Sequence, residues 1–401
     1  MSYILLPKQP ATRPPIKVMG LEEFWADDEL KETLTGPLGL DFETNTYDYT
    51  APDFKMRTVG LGNDDIAVSV DLLGASQETA SKFGAWLLEQ PYVAHNLIME
   101  AGTLQSWLGN VGKPICDTYV VLADLASEER GPRDLGTAMV NLLDQEKDSD
   151  AIKSYMKANK LNWDDVDQFD IDILGKYNAI DAWGCWALYK YFQTITDSYN
   201  DTWGQHYWQY HQEDCQTEVL LQVEAKMGGI HVEEAALIEE YDTSIANRDE
   251  ALSSFLGHEL VKPHIEEYQR VAVAELEDNP PPQFTKAGKE TARYAKWVEK
   301  VAAMKAEMQF NTNSTAQLRW LFFDRMGLAP VEFTDKGEPS TAADCLAKMG
   351  DTGQLLLKYR GLVTRLKFLT QVKEGTRDGI IRPSVRPFVT LTTRCGAGKL
   401  E

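Results

Sequence analysis

Leu38 to Thr44 reads LGLDFET. Its apolar start, closed by alternating residues, predicts a strand over Gly36 to Phe42. Residues two apart in a strand share a face, so Asp41 and Glu43 point together. Two like charges on one face, with no basic residue beside them in sequence, repel each other. The arrangement makes sense if a divalent cation sits between them. An exposed strand edge carrying D-x-E would read the same way, so the motif needs company.

Further strand patterns follow at Thr58 to Leu61 and Ile66 to Val70, then a helical pattern from Gln77 to Glu89 and a short apolar run at Tyr92 to His95. Glu100 to Trp107, Asp117 to Ala126 and Ile173 to Thr194 carry helical periodicity. Strands and helices in this order predict an α/β layer structure. Two more acidic positions stand out. In VAHNLIMEAGTL (Val93 to Leu104), Glu100 opens a predicted helix four residues after Asn96. In YNAID, Tyr177 and Asp181 are four apart and so lie one above the other on a helix face. Separately, these read as a helix-start charge and a surface pair. Together, and in this order, they form a sharper pattern.

D-x-E at Asp41 and Glu43, N-x-x-x-E at Asn96 to Glu100 and Y-x-x-x-D at Tyr177 to Asp181 resemble the three motifs of the proofreading 3′→5′ exonuclease domain of family-A DNA polymerases. Asp117-Thr118, after Ile115, resembles that family's I-x-D-T segment. The tyrosine subtype is indicated because Lys176 stands where the histidine subtype has His. The resemblance implies a ribonuclease-H-like fold, a mixed sheet flanked by helices. It also implies two Mg²⁺ or Mn²⁺ ions about 3.5–4 Å apart. Asp41 would bridge them, Glu43 and Asp181 would complete one site, and Glu100 would serve the second through water. Tyr177 would orient the attacking water, and Asn96 would touch DNA. All these ligands are oxygens, as hard ions prefer. Glu100 departs from the family, which has Asp there after an aromatic residue. It keeps the charge but is one methylene longer, which implies a shifted or water-mediated ligand.

From about Tyr199 the texture changes to long helices: Trp203 to His211, Asp214 to Met227 ending at Gly228-Gly229, and Lys289 to Met308, with a breaker at Asn279 to Pro282. EVLLQVEAKMGGIHV (Glu218 to Val232), FNTNSTAQL (Phe310 to Leu318), TDKGEPST (Thr334 to Thr341) and TTRC (Thr392 to Cys395) resemble, in family order, the opening of the polymerase domain. The expected organisation is an exonuclease domain over 1–198 and a partial polymerase domain over 199–401, comprising the thumb and the start of the palm. Arg394 is the candidate for touching a primer-template duplex. Lys289, Lys296 and Lys300, with Lys286 and Lys305, fall in one thumb-like region suited to backbone contacts. The palm carboxylates and the fingers helix are not found in these 401 residues, so primer extension is not expected of them alone.

Charge supports this division of labour. The net charge is −22, yet Gln283 to Glu401 holds 20 basic and 12 acidic residues against 20 and 50 in the rest. The basic end is the natural partner for phosphates. No apolar run approaches a membrane span. The five cysteines are odd in number and widely spaced, with neither a zinc pair nor a disulfide framework, so a cytoplasmic setting is expected. The reading is a metal-dependent 3′→5′ DNA exonuclease within a split or truncated polymerase. Its partners would be a single-stranded 3′ end, a primer-template duplex and a second chain bringing palm and fingers. The alternatives are a catalytically weakened DNA-binding or assembly subunit and an RNA-trimming nuclease.

Overall fold

The computed structural model describes residues 6–125, 133–147, 149–199, 201–285, 289, 291–306, 310–386 and 396–400. They form two compact units: 1–231 with 380–401, and 232–379.

The first unit is built on a six-stranded mixed sheet. Its strands are β1 (Ile16–Gly20), β2 (Leu38–Thr44), β3 (Met56–Gly62), β4 (Ala67–Asp71), β5 (Pro91–Ala94) and β6 (Lys113–Asp117), in the spatial order β1-β4-β3-β2-β5-β6. β2, β3 and β4 run antiparallel as a meander, while β1, β5 and β6 join in parallel. The helices are α1 (Leu21–Ala26), α2 (Asp28–Thr33), α3 (Gln77–Glu89), α4 (Ile98–Leu108), α5 (Thr118–Leu125), α6 (Leu135–Ala138), α7 (Ser149–Asn159), α8 (Ile171–Tyr199), α9 (Asp201–Tyr210) and α10 (Gln216–Gly228).

Strand alternation gives the sheet two unlike faces. Leu38, Leu40, Val59, Leu61, Val68 and Val70 are fully buried in one core with Phe24, Phe83, Leu87 and Leu104. The opposite face carries Gly39, Asp41, Glu43, Gly60, Gly62, Ala67 and Ser69, and α8 lies across it. The small residues are a packing requirement. A Cβ at Gly39 would run into the Ala182 carbonyl oxygen, one at Gly60 would come within 2.7 Å of the Asn178 oxygen, and one at Gly62 within 2.6 Å of Trp183 Cα. Backbone therefore meets backbone, and α8 sits close enough to put Asp181 beside β2.

The expected α/β layering stands, with differences at the edges. β1 and β6 were not anticipated. IKVMG and KPICD are short edge strands interrupted by charge or proline, too brief for a period to register. Asp117 ends β6 instead of starting a helix. The first compact unit also runs past the expected boundary at 198, because α10 buries Val219 and Val223 in the same core as Leu97 and Leu104.

The second unit is mainly helical: α11 (Glu234–Gly257), α12 (Lys262–Glu277), α13 (Ala292–Ala306), α14 (Thr315–Arg319), α15 (Ala343–Leu346) and α16 (Gly350–Gly375). Its core joins Phe255, Ile265, Phe310, Leu318, Phe322, Leu346 and Leu356. In the FNTNSTAQL stretch, Gln317 Oε1 accepts from Asn311 N at 2.6 Å and Ser314 caps α14. The Arg360 guanidinium donates to the Thr341 and Thr312 carbonyls, tying this loop to α16. Among the described residues, no helix is long and apolar enough to cross a membrane.

Candidate active site

β2 supplies Asp41 and Glu43 and α8 supplies Asp181, with one oxygen from each lying within 4.8 Å of the others. Glu100, on the first turn of α4, lines the same cleft, as do Asn96, Met99, His95 and Tyr177. The cleft measures about 390 Å³. Asp41, Glu43, Glu100, Tyr177 and Asp181, the residues expected to act together, thus line one cleft. Glu100 stands outside the tight trio and reaches it from α4.

The electrostatics are severe. Burial, followed by the neighbouring Asp181, pushes Asp41 up to about 8. Burial and the surrounding carboxylates also hold Glu43 and Glu100 well above the ordinary carboxylate range, and burial raises Asp181. Asp181 Oδ1 and Glu100 Oε2 are buried with no hydrogen-bond partner. Buried, mutually repelling oxygen donors with orphaned lone pairs are the donor set that a hard divalent ion satisfies, so the residues present fit the metal implied by the sequence.

A stability consequence follows. Carboxylates whose folded pKa is raised bind more protons folded than unfolded. The metal-free protein should therefore lose stability as pH climbs from about 4 toward 8. Scanning calorimetry in EDTA is expected to show a falling melting temperature from pH 5 to pH 8. Mn²⁺ should restore more of it at pH 8 than at pH 5. A melting temperature indifferent to pH across that window would contradict the carboxylate environment described here.

Neighbouring groups fix the ligands. Asn178, next to Tyr177 on α8, donates from Nδ2 to Asp41 Oδ2 at 2.8 Å and to the Asp41 carbonyl at 3.1 Å. Ser69 Oγ in turn donates to Asn178 Oδ1 at 2.8 Å. Asn96 has a left-handed backbone, φ 74°. That turn is held by Asp117, whose carboxylate accepts from Asn96 N and Leu97 N at 3.0 Å and from Tyr119 N at 2.9 Å. Asp117 is therefore a brace that aims α4 and Glu100 at the cleft. Burial pushes His95 down to about 4. Its Nε2 meets the Arg133 carbonyl at 2.8 Å and its Nδ1 lies 2.9 Å from Thr118 Oγ1, so this ring is a buried structural group.

The largest addition to the expected site is Lys147. Its ammonium is ion-paired to Asp181 Oδ2 and lies 4.4 Å over the Tyr177 ring. No spacing rule links Lys147 to a motif 30 residues away. Tyr47, 74% exposed, and Trp163 also line the cleft and were missed.

Elsewhere in the first unit, Asp124, His211 and Cys215 bring a carboxylate, a ring nitrogen and a thiol within 4.8 Å. His211 Nε2 accepts from Asp117 N at 3.2 Å, so the proton of the neutral ring lies on Nδ1. With Nε2 already accepting and Nδ1 protonated, the ring has no free lone pair to offer a metal.

In the second unit, Lys296 and Lys300 line a groove with Arg293, Trp297, Pro281 and Pro282. Lys289 is exposed but precedes α13, where the sequence predicted helix: its N–H donates to Thr285 Oγ1 at 3.2 Å. Lys305 is paired with Glu277 at 2.5 Å. Arg394 and Lys286 lie outside the described residues.

No protein-family model matches the sequence. A stretch of 101 residues is 36% identical to a DNA polymerase of Bacillus phage SP01, covering 23% of this chain and 10% of that protein. Among solved structures, the polymerase domain of Pol1 from M. smegmatis, in complex with DNA primer-template and dNTP, superposes with a TM-score of 0.63 at 14% identity. That match covers 97% of this chain and 54% of the other. Brucella melitensis NrnC with bound Mg²⁺ is a more distant match, at TM-score 0.38 and 12% identity over 54% of this chain and 95% of that one. The chain spans about half of the Pol1 domain and a tenth of the phage polymerase. In fold it is DNA polymerase I-like, with a mixed α/β first unit.

Proposed function

We propose that the first unit is a Mg²⁺- or Mn²⁺-dependent 3′→5′ DNA exonuclease of the proofreading type. The observation that carries this reading is the convergence of Asp41, Glu43 and Asp181 within 4.8 Å, with Glu100 in the same cleft. Asp41, Glu43 and Asp181 would hold one ion, and Glu100 would serve a second. When bound, the ions would activate water and stabilise charge on the leaving 3′-oxygen. Tyr177, on the turn of α8 before Asp181, would orient the attacking water. Asn178 keeps Asp41 in register, and the Asp117 brace keeps Glu100 in the cleft. The exposed ring of Tyr47 at the mouth offers a face on which a base can stack, which suits a single-stranded end.

The basic groove on α13 would grip the phosphate backbone without reading sequence. Binding there should weaken steeply with salt. The test is digestion of a 5′-labelled single-stranded oligonucleotide with Mg²⁺, with the matching RNA alongside. A ladder shortening from the 3′ end of DNA supports the proposal. Faster RNA digestion favours the trimming alternative, and no digestion with either metal favours the weakened subunit.

Glu100 separates a working site from the weakened-subunit reading. Glu100→Asp should keep or raise the rate, since the charge stays and the group takes the shorter length. Glu100→Gln should lower it by roughly 10- to 100-fold, the range seen when a group supporting a metal is lost. Single-turnover rates at limiting Mn²⁺ measure this. A Gln variant matching the parent would make Glu100 a helix-start charge and nothing more.

A further inference from the structure

We infer that Lys147 is the built-in counter-ion of the carboxylate group: its ammonium neutralises the group when no divalent ion is bound and must yield when one binds, so it sets the metal affinity. The inference rests on the nuclease reading above. Among the described residues, the Lys147 ammonium is ion-paired to Asp181 while the other Asp181 oxygen, Oδ1, is buried without a partner. The Lys147 side chain is 18% exposed and opens on the cleft.

The backbone beneath it is anchored. Gln9 N and Ala11 N donate to the Leu142 and Leu143 carbonyls at 2.8 and 2.9 Å. Gln145 Nε2 donates to the Ala11 carbonyl at 2.7 Å, and an Arg13 amino group donates to the Glu146 carbonyl at 2.6 Å. Lys8 pairs with Asp144 at 2.5 Å. The residues around 142–147 are therefore held from behind while four flexible methylenes carry the charge in front. Such a cation can leave Asp181 without leaving the cleft, where the Tyr177 ring lies 4.4 Å away.

Charge decides the direction of the effect. Four carboxylates face one ammonium, which cancels one of them. A divalent ion entering the group meets that ammonium as a like charge in a poorly screened site. Removing the ammonium should strengthen metal binding and weaken the metal-free fold. A lysine that merely held Asp181 in position as a ligand would do the opposite.

The experiment is calorimetric titration of the full 401-residue chain with Mn²⁺ at pH 8, without substrate, alongside melting in EDTA. Lys147→Met is expected to bind Mn²⁺ at least tenfold more tightly than the parent, which is 1.4 kcal/mol. It should also melt at a lower temperature in EDTA and recover with Mn²⁺. Lys147→Arg should keep the parental affinity within a few fold. If the Met variant does not fold, Lys147→Gln, which retains a hydrogen-bond donor for Asp181, carries the same expectation. Equal or weaker Mn²⁺ binding in the neutral variant overturns the inference while leaving the nuclease reading intact. If instead the parent's Mn²⁺ binding survives Asp41→Asn with Glu43→Gln, the metal lies elsewhere and both readings fall.

Discussion

Replacing Asp41 and Glu43 together by alanine is expected to lower Mg²⁺-dependent shortening of single-stranded DNA by roughly 10⁴-fold, the scale on which enzymes lose activity with their reacting groups. The two carboxylates are neighbours on one face of β2 and supply two of the three oxygens that lie within 4.8 Å. Asp181 alone cannot hold a hard ion that prefers six or more oxygen ligands. Glu100 cannot compensate, since α4 reaches the cleft from the side. The same change should make the metal-free protein more stable at pH 8, because it deletes two buried carboxyl groups whose raised pKa values cost stability there. Opposite effects on activity and melting temperature distinguish loss of a site from loss of the fold. The readout is a gel of 5′-labelled products with a parallel thermal melt. Undiminished digestion would place the chemistry elsewhere in the molecule.

Gly39→Ala should be the most damaging single methyl in the first unit. The new Cβ would meet the Ala182 carbonyl, a backbone atom of α8 that cannot rotate away. Either α8 lifts or β2 buckles. Overpacking against backbone is expected to destabilise by on the order of 3 kcal/mol. For a unit of this size that is a fall of about 6–12 °C in melting temperature. Activity should fall further than stability explains, because Asp181 lies on the same turn as Ala182. Chemical denaturation and nuclease rates on the folded fraction measure the two effects separately. A variant that melts like its parent would mean that α8 stands further from the sheet than described.

The grouping of the acidic residues was more legible in the sequence than the frame around it. D-x-E and Y-x-x-x-D are local spacings, and each maps directly onto the period of the element that carries it. Asp41 and Glu43 share a strand face, and Tyr177 and Asp181 share a helix face, as those periods require. Asn178 and Lys147 obey no such rule. Asn178 matters because a glycine-lined sheet lets it touch Asp41, and Lys147 because a loop 30 residues upstream folds under the N-terminal segment. Long-range packing decides both. The compact unit outgrew its expected boundary for a similar reason: α10 reads as one more amphipathic helix until its apolar face is seen buried against Leu97 and Leu104. In the second unit, the basic residues were easy to find, but which of them share a groove depended on where α13 begins.

The unlike faces of the sheet bear on how the chain is made. A ribosome adds about 5–20 residues each second. All six strands have been synthesised by Asp117, whereas the helix that covers their second face is complete only at Tyr199. For about 4–16 seconds, by that rate, the growing protein carries a sheet whose second face still lacks its helix. The other side holds the large aliphatic residues, packed mainly by helices that precede or interleave with the strands until α10 adds Val219 and Val223. The waiting side is Gly39, Gly60, Gly62, Ala67 and Ser69 among charged carboxylates, which offers little for a neighbouring nascent chain to adhere to. The glycines that let α8 settle so closely thus also leave that part of the half-made sheet with few large apolar side chains to expose before the helix arrives.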